Sequence, residues 1–335
     1  MVFRKLVLRA MGSSGLYSIL RHRRKGAIAM AYHGVEEEII DPRIQTVHIP
    51  LRRFRRHMDY IKKNFEVIAL DDLSERLEAG RGLDGRQVVL TFDDGYRNNL
   101  EVVAPLMESL DLPFAVFVST EHTGQGVRMP TYRLRAGIYL TEAKSCRIRG
   151  FPEPFDLRDE RARDHAIQAI AARYKTAPQP EADAILEDVE SLIPEERWSE
   201  IDARFASDTP MNWEEVEILH RRGVTIGSHG RRHVILHTGQ DEAWIRDEVR
   251  LSREEVERRL GSCRYFAYPN GTSQDIAPVA ADEVVRSGYE LAFTAEFGEI
   301  RQDTDRRLLP RVDGDDGFEY LQFYLNTAYR PGRGG

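Results

Sequence analysis

The chain has 335 residues, 41% of them hydrophobic, and a net charge of -7. That is enough apolar material for one large core or two modest ones, which excludes a mainly disordered chain, and the acidic balance argues against wholesale nucleic-acid binding. Its two cysteines, Cys146 and Cys263, make neither a CxxC pair nor a disulfide framework, so they read as structural thiols compatible with a reduced compartment.

The charge is uneven along the chain. Residues 1–25 contain Arg4, Lys5, Arg9, Arg21, Arg23, Arg24 and Lys25 with no acid, so this start carries +7 and the remainder -14. The apolar residues between Leu6 and Leu20 are interrupted by Arg9 and by Gly12-Ser13-Ser14-Gly15, so they read as neither a signal peptide nor a membrane span. We expect a basic, solvated leader on a cytoplasmic protein. Weak peripheral contact with anionic lipid is the other role open to these charges.

Beyond the leader, short apolar runs at residues 27–32, 65–70, 87–92, 114–118, 224–227, 265–268, 291–294 and 308–312 alternate with amphipathic stretches. This is the pattern of a largely parallel sheet with helical crossovers. Between the first two runs, Leu51, Phe54, Met58 and Ile61 share one helical face. Residues 121–211 break the rhythm with Pro152, Pro154, Pro178 and Pro180 and with Ala- and Glu-rich stretches, and predict a mostly helical insertion. Asn212 is placed to cap a helix from Trp213 to about Arg222. Residues 241–260 predict a longer helix with Ile245, Val249, Val256 and Leu260 inward, charges outward and Gly261 at its end.

Three polar segments follow directly on apolar runs, at the strand ends where open sheets and barrels handle ligands. The first is Thr91-Phe92-Asp93-Asp94-Gly95. Taken alone it is an ordinary turn, but adjacent carboxylates can aim one side chain at a cation and leave the other free as a base. The second, Ser228-His229-Gly230-Arg231-Arg232-His233, sets two imidazoles four residues apart, on one face if the segment turns helically. One carboxylate and two imidazoles suit zinc or a similar divalent ion and leave a coordination position open. The third, Phe266-Ala267-Tyr268-Pro269-Asn270-Gly271, turns sharply and can point backbone N–H groups at an anionic intermediate.

With these three segments in this order, the chain resembles the polysaccharide deacetylases, carbohydrate esterase family 4 or the NodB homology domain. The resemblance covers about residues 28–120 and 211–325, with the insertion outside it. It implies an α/β fold, a deformed (β/α)7-type barrel, and metal-dependent removal of an acetyl group from an N-acetylated amino sugar. It also implies Asp93 as base and Asp94, His229 and His233 as ligands, with Zn2+ the expected ion and other first-row divalent ions the alternatives.

Where many members carry an arginine in the third segment this chain has Ala267, resembling the branch with a Tyr-Pro pair. Arg311, in the last apolar run, is then the candidate to orient the base. The histidine usual in the family's last motif is missing, and His33, at the end of the first run, is the candidate acid. Tyr268 and Asn270 are the candidates for substrate and oxyanion contacts. The partner expected is a carbohydrate substrate, with no nucleic acid. Two other readings stay open: a linear-amide hydrolase acting on a small nitrogen compound, and a catalytically silent carbohydrate-binding protein.

Overall fold

Seven of the apolar runs become strands: β1 (Ile28–Tyr32), β2 (Gln87–Phe92), β3 (Ala115–Val118), β4 (Thr225–Ser228), β5 (Tyr265–Ala267), β6 (Leu291–Phe293) and β7 (Arg311–Asp313). The computed structural model describes residues 8, 16–21, 23–80, 82–315 and 317–328. All neighbouring strands are parallel, in the order β6-β5-β4-β3-β2-β1-β7. Phe293 of β6 bridges Leu309 just ahead of β7, and the Thr294 N–H donates to the Leu309 C=O at 2.8 Å. The sheet thus curls into a nearly closed (β/α)7-type barrel.

Strand periodicity decides which side chains reach the site. Ala29, Val89, Ala115, Phe117, Ala267 and Phe293 form one buried cluster, while Ile28, Met30, Val88, Leu90, Val116 and Phe266 belong to another under the helices. Alternate residues point to opposite faces of a strand. Continuing the first parity to the strand ends gives Ala31 and His33 after Ala29, and Thr91 and Asp93 after Val89. Gly227 in β4 is required by the same interior: a Cβ there would lie 2.6 Å from the Phe117 ring.

Helix α1 (Leu51–Asn64) buries Phe54, Met58 and Ile61 as the spacing predicts, with Leu51 only partly covered. The run at residues 65–70 is the exception among the expected strands. Only Glu66–Val67 is extended, pairing with the start of β2, and Leu70 opens helix α2 (Leu70–Glu78). Its Leu70, Leu73 and Leu77 join the interior cluster, so this apolar run is shared between a short edge strand and a helix.

The insertion is mostly helical, with α3 (Pro130–Leu140), α4 (Glu160–Thr176), α5 (Gln179–Glu190) and α6 (Glu195–Arg204). It has its own apolar centre, including Leu134, Ile138, Ile167, Ile170, Ile185 and Val189. Its return is fastened at Asp208, whose Oδ1 lies 3.0 Å from His48 Nδ1, with Glu36 Oε1 at 3.2 Å from the same nitrogen.

Helix α7 (Trp213–Arg221) starts at the Asn212 cap, which accepts from the Glu215 N–H while Glu215 reaches back to the Asn212 N–H. Helix α8 (Glu242–Leu260) runs from its Asp241 cap to Gly261, whose φ of 86° closes it in the left-handed region. Ile245, Val249 and Val256 are buried as expected, while Leu260 is half-buried. Helix α9 (Phe318–Thr327) follows β7.

Arg4, Lys5 and Arg9 of the basic start lie outside the described residues. Nearer the barrel this segment is not a solvated leader. Leu16–Arg21 is helical and packs on α9, and Tyr17 is buried. Arg24 is buried too, its guanidinium donating to the C=O groups of Leu325 and Gly26 beside Glu299. Among the described residues no helix is long and apolar enough to cross a membrane.

Candidate active site

The Asp-Asp turn sits at the end of β2 and is held by the Asp93 N–H, which donates to the Tyr32 C=O at 2.8 Å. Asp94 then adopts a φ of 70°, and that reversal sends the two carboxylates in different directions. Asp93 points into the barrel and meets Arg311. The guanidinium donates from both terminal nitrogens to both carboxylate oxygens at 2.7 Å, and its third nitrogen donates to the Thr294 C=O at 2.9 Å. Both side chains are buried. Burial by itself would raise the Asp93 pKa, but Arg311, with His229 and His33, holds it below the usual carboxylate range.

Asp94 meets the two imidazoles. Its Oδ1 lies 3.2 Å from His233 Nε2 and 3.5 Å from His229 Nε2. The three residues offer ligand atoms within 4.8 Å of one another. His229 Nδ1–H donates to the Ala267 C=O at 2.7 Å, which fixes the tautomer and turns the Nε2 lone pair toward Asp94. Burial pushes the His229 pKa down to about 4, so the ring is neutral at physiological pH. Asp94 Oδ1 is buried and accepts no hydrogen bond. An orphaned anionic oxygen faced by two imidazole nitrogens, one of them the Nε2 lone pair of a neutral His229, fits a divalent cation.

The histidines converge by a route other than a helical turn. Residues 229–237 form a loop in which Gly230 and His233 both have positive φ, 75° and 56°. That loop is pinned by Glu248 of α8, whose carboxylate accepts the N–H groups of Arg231 at 3.0 Å and Arg232 at 2.8 Å. The expectation that α8 keeps its charges outward fails at this residue, which is 1% exposed. Its position between Ile245 and Val249 on the buried stripe is the signal that could have found it.

A cavity of about 420 Å3 opens over these groups. His33 lines it, with a buried Nδ1 that has no hydrogen-bond partner. Burial would lower the His33 pKa, yet Asp94, Asp315, Asp93 and Asp313 together raise it above the ordinary value.

Tyr268 and Asn270 also line the cavity but differ in what they can offer. The Tyr268 N–H donates to the Phe293 C=O at 3.0 Å and its O–H to the Arg307 C=O at 3.0 Å. Both donors are committed within the protein, so Tyr268 meets the cavity as part of its wall. Asn270 has a φ of 59°, and its backbone N–H meets no acceptor among the described residues.

Sequence reasoning missed a second group of possible ligands, Glu36, His48 and Asp208. Asn98 donates to Glu36 at 2.9 Å, Gln45 donates to Asp208 at 3.0 Å, and His48 stands between the two carboxylates. With its acceptors already served, it fits a cation less well than the Asp94 group. Three residues scattered at 36, 48 and 208 leave no local motif to read.

A sequence model of the family described as polysaccharide deacetylase matches residues 80–194 and 197–290. The chain belongs to the polysaccharide deacetylases. The family match begins downstream of β1 and ends upstream of Arg311. The poly-β-1,6-N-acetyl-D-glucosamine N-deacetylase of Escherichia coli K12 is 29% identical over 89 residues, which are 26% of this chain and 13% of that protein. Among solved structures, IcaB from Ammonifex degensii superimposes with a TM-score of 0.57 at 17% identity, covering 91% of this chain and 97% of that one. The Streptococcus pyogenes deacetylase PplD, solved with acetate, gives 0.55 at 13% identity over 87% and 92%. At such identities the two structures show the deacetylase barrel and nothing finer.

Proposed function

We propose that this polysaccharide deacetylase hydrolyses the acetamide of an N-acetylated amino sugar in a poly- or oligosaccharide. Zn2+ or a comparable divalent ion would be held by Asp94, His229 and His233. The observation that carries this reading is the ionised, doubly bonded Asp93 beside an orphaned Asp94 oxygen and two imidazoles. Family membership and the 89-residue similarity to an N-deacetylase of poly-N-acetylglucosamine support the substrate class.

A divalent cation in such a site polarises the acetyl carbonyl and lowers the pKa of water to about 7. Asp93 takes the proton of the attacking water, and Arg311 fixes the direction in which its carboxylate faces. As the water oxygen bonds to the carbonyl carbon, the Asn270 N–H donates to the oxyanion that forms, a contact of the kind worth about 2.7–4 kcal/mol in other hydrolases. His33, whose buried Nδ1 has no hydrogen-bond partner within the protein, gives a proton to the nitrogen as the C–N bond breaks. The products are acetate and the free amino sugar.

The direct test is acetate release from N-acetylglucosamine oligomers by the purified protein, measured as isolated, after chelation and after zinc is restored. Release that stops with chelation and returns with zinc is expected. Release that ignores the chelator rejects the metal assignment, and no release from neutral or acidic N-acetylated sugars under any metal rejects the activity.

A further inference from the structure

The roof of the cavity carries two positive charges that the chemistry at its floor does not use. Arg135 of α3 and Lys175 of α4 both line it, opposite the barrel residues Asp93, Asp94, Asp313 and Asp315. Neither takes part in an ion pair among the described residues. Arg135 donates to the Arg43 C=O at 2.8 Å, and Lys175 Nζ donates to Asn270 Oδ1 at 2.7 Å, so the direct acceptor of each is neutral.

The nearby carboxylates, Asp164 for Arg135 and Asp275 for Lys175, favour the two charges from a distance but make no direct ion pair with them. Asp164 accepts the Tyr139 O–H at 2.6 Å, and Asp275 accepts Asn270 Nδ2 at 2.6 Å as well as the Thr272 N–H and hydroxyl. The two cations are also close enough that Arg135 disfavours the charge on Lys175, while Asp275 favours it. Two like charges beside one cavity, each hydrogen-bonded to a neutral oxygen, leave room for an anion to bridge them through charge-assisted hydrogen bonds.

We propose that Arg135 and Lys175 form an anion subsite, and that the sugar this enzyme deacetylates carries a carboxylate or phosphate close to its N-acetyl group. The inference rests on the deacetylase reading for the identity of the sugar. A neutral homopolymer of N-acetylglucosamine would offer neither cation a direct ion pair. A substrate with an acidic substituent sets its acetamide on the metal ligands and its anion under the insertion.

Binding separates this from the reaction itself. Zinc-loaded Asp93→Asn protein, expected to bind without turning over, is titrated calorimetrically with N-acetylglucosamine, N-acetylmuramic acid and N-acetylglucosamine 1-phosphate. At low salt at least one anionic sugar should bind about tenfold more tightly than the neutral one, and the tighter of the two assigns the anion as carboxylate or phosphate. Adding Arg135→Gln and Lys175→Gln should erase that advantage and leave the neutral sugar's affinity within about twofold, since the glutamine at 175 can still donate to Asn270. Unchanged thermal melting of the variants excludes misfolding as the cause. Equal affinity for charged and neutral sugars, undetectable binding of both anionic ones, or an advantage that survives the double substitution overturns the subsite. Failure of the unsubstituted enzyme to release acetate would instead remove the deacetylase reading, and the binding comparison would still decide the subsite.

Discussion

Arg311 and Asp93 lie 218 positions apart and meet through two parallel bonds of 2.7 Å inside the barrel. The pair answers a question raised by Ala267: an arginine placed to position the proposed base comes from the last strand. A guanidinium fork matches a carboxylate in a way an ammonium does not. Arg311→Lys is therefore expected to lower kcat by about 100-fold with little change in KM, because Asp93 loses its fixed direction. It also removes part of the field that keeps Asp93 ionised, so the acid limb of the pH–rate profile should move to higher pH. An unshifted profile with normal kcat would show that Arg311 is structural only.

Metal binding has a readout besides turnover. A ligand at about 100 times its dissociation constant stabilises the native state by about 2.7 kcal/mol, a shift of several degrees in Tm for a chain of this size. Zinc should therefore raise the melting temperature of the wild type. Asp94→Ala and His229→Ala should abolish the shift, whereas Asp93→Asn should keep it while losing acetate release. Retention of the shift in Asp94→Ala would mean that the ion binds somewhere else.

Glu248 supports the loop that carries His233 without touching the proposed ion. Supporting contacts of this kind typically change metal affinity by about 10–100-fold. Glu248→Ala is expected to weaken zinc binding by that amount in a competition titration, while Glu248→Gln, whose amide oxygen can still accept the two N–H groups, retains most of it. Equal loss in both variants would point to the charge of Glu248 instead of its hydrogen bonds.

Much of the barrel was legible because its strands are buried on both faces and read as continuous apolar runs. The ligand set was legible for a related reason, since each polar segment follows directly on such a run. What the sequence does not display is direction and distance. Nothing local reveals that Arg311 reaches Asp93, that the Tyr268 hydroxyl is bonded to Arg307, or that His233 reaches Asp94 through a left-handed loop residue. Glu248 was hidden because a charged residue in an amphipathic helix is usually solvated, and only tertiary packing buries this one.

His33 has a testable place in the pH profile. It lines the cavity with a buried Nδ1 that has no hydrogen-bond partner. A general acid must be protonated, so activity should fall at alkaline pH as His33 loses its proton. His33→Asn is expected to lower kcat by about 100-fold and flatten that alkaline limb. A limb that survives the substitution would assign the acid to another group.

The His48 cluster makes a prediction about stability instead of catalysis. Burial alone would lower the His48 pKa, but hydrogen bonds to Asp208 and Glu36 push it up to about 9 from an ordinary value of 6.5. The folded pKa lies above the unfolded one, so the protonated ring contributes its full stabilisation below about pH 6.5 and loses it as the pH rises through about 9. Replacing His48 with Gln leaves two buried carboxylates facing each other, a loss of about 3–5 kcal/mol for a broken buried ion pair. Denaturant titrations should show that deficit at pH 6 and a narrowing gap between wild type and His48→Gln above pH 9, where the wild-type ring is neutral too. A gap that stays constant from pH 6 to pH 10 would mean that His48 fastens the insertion through shape and neutral hydrogen bonds, with no contribution from its charge.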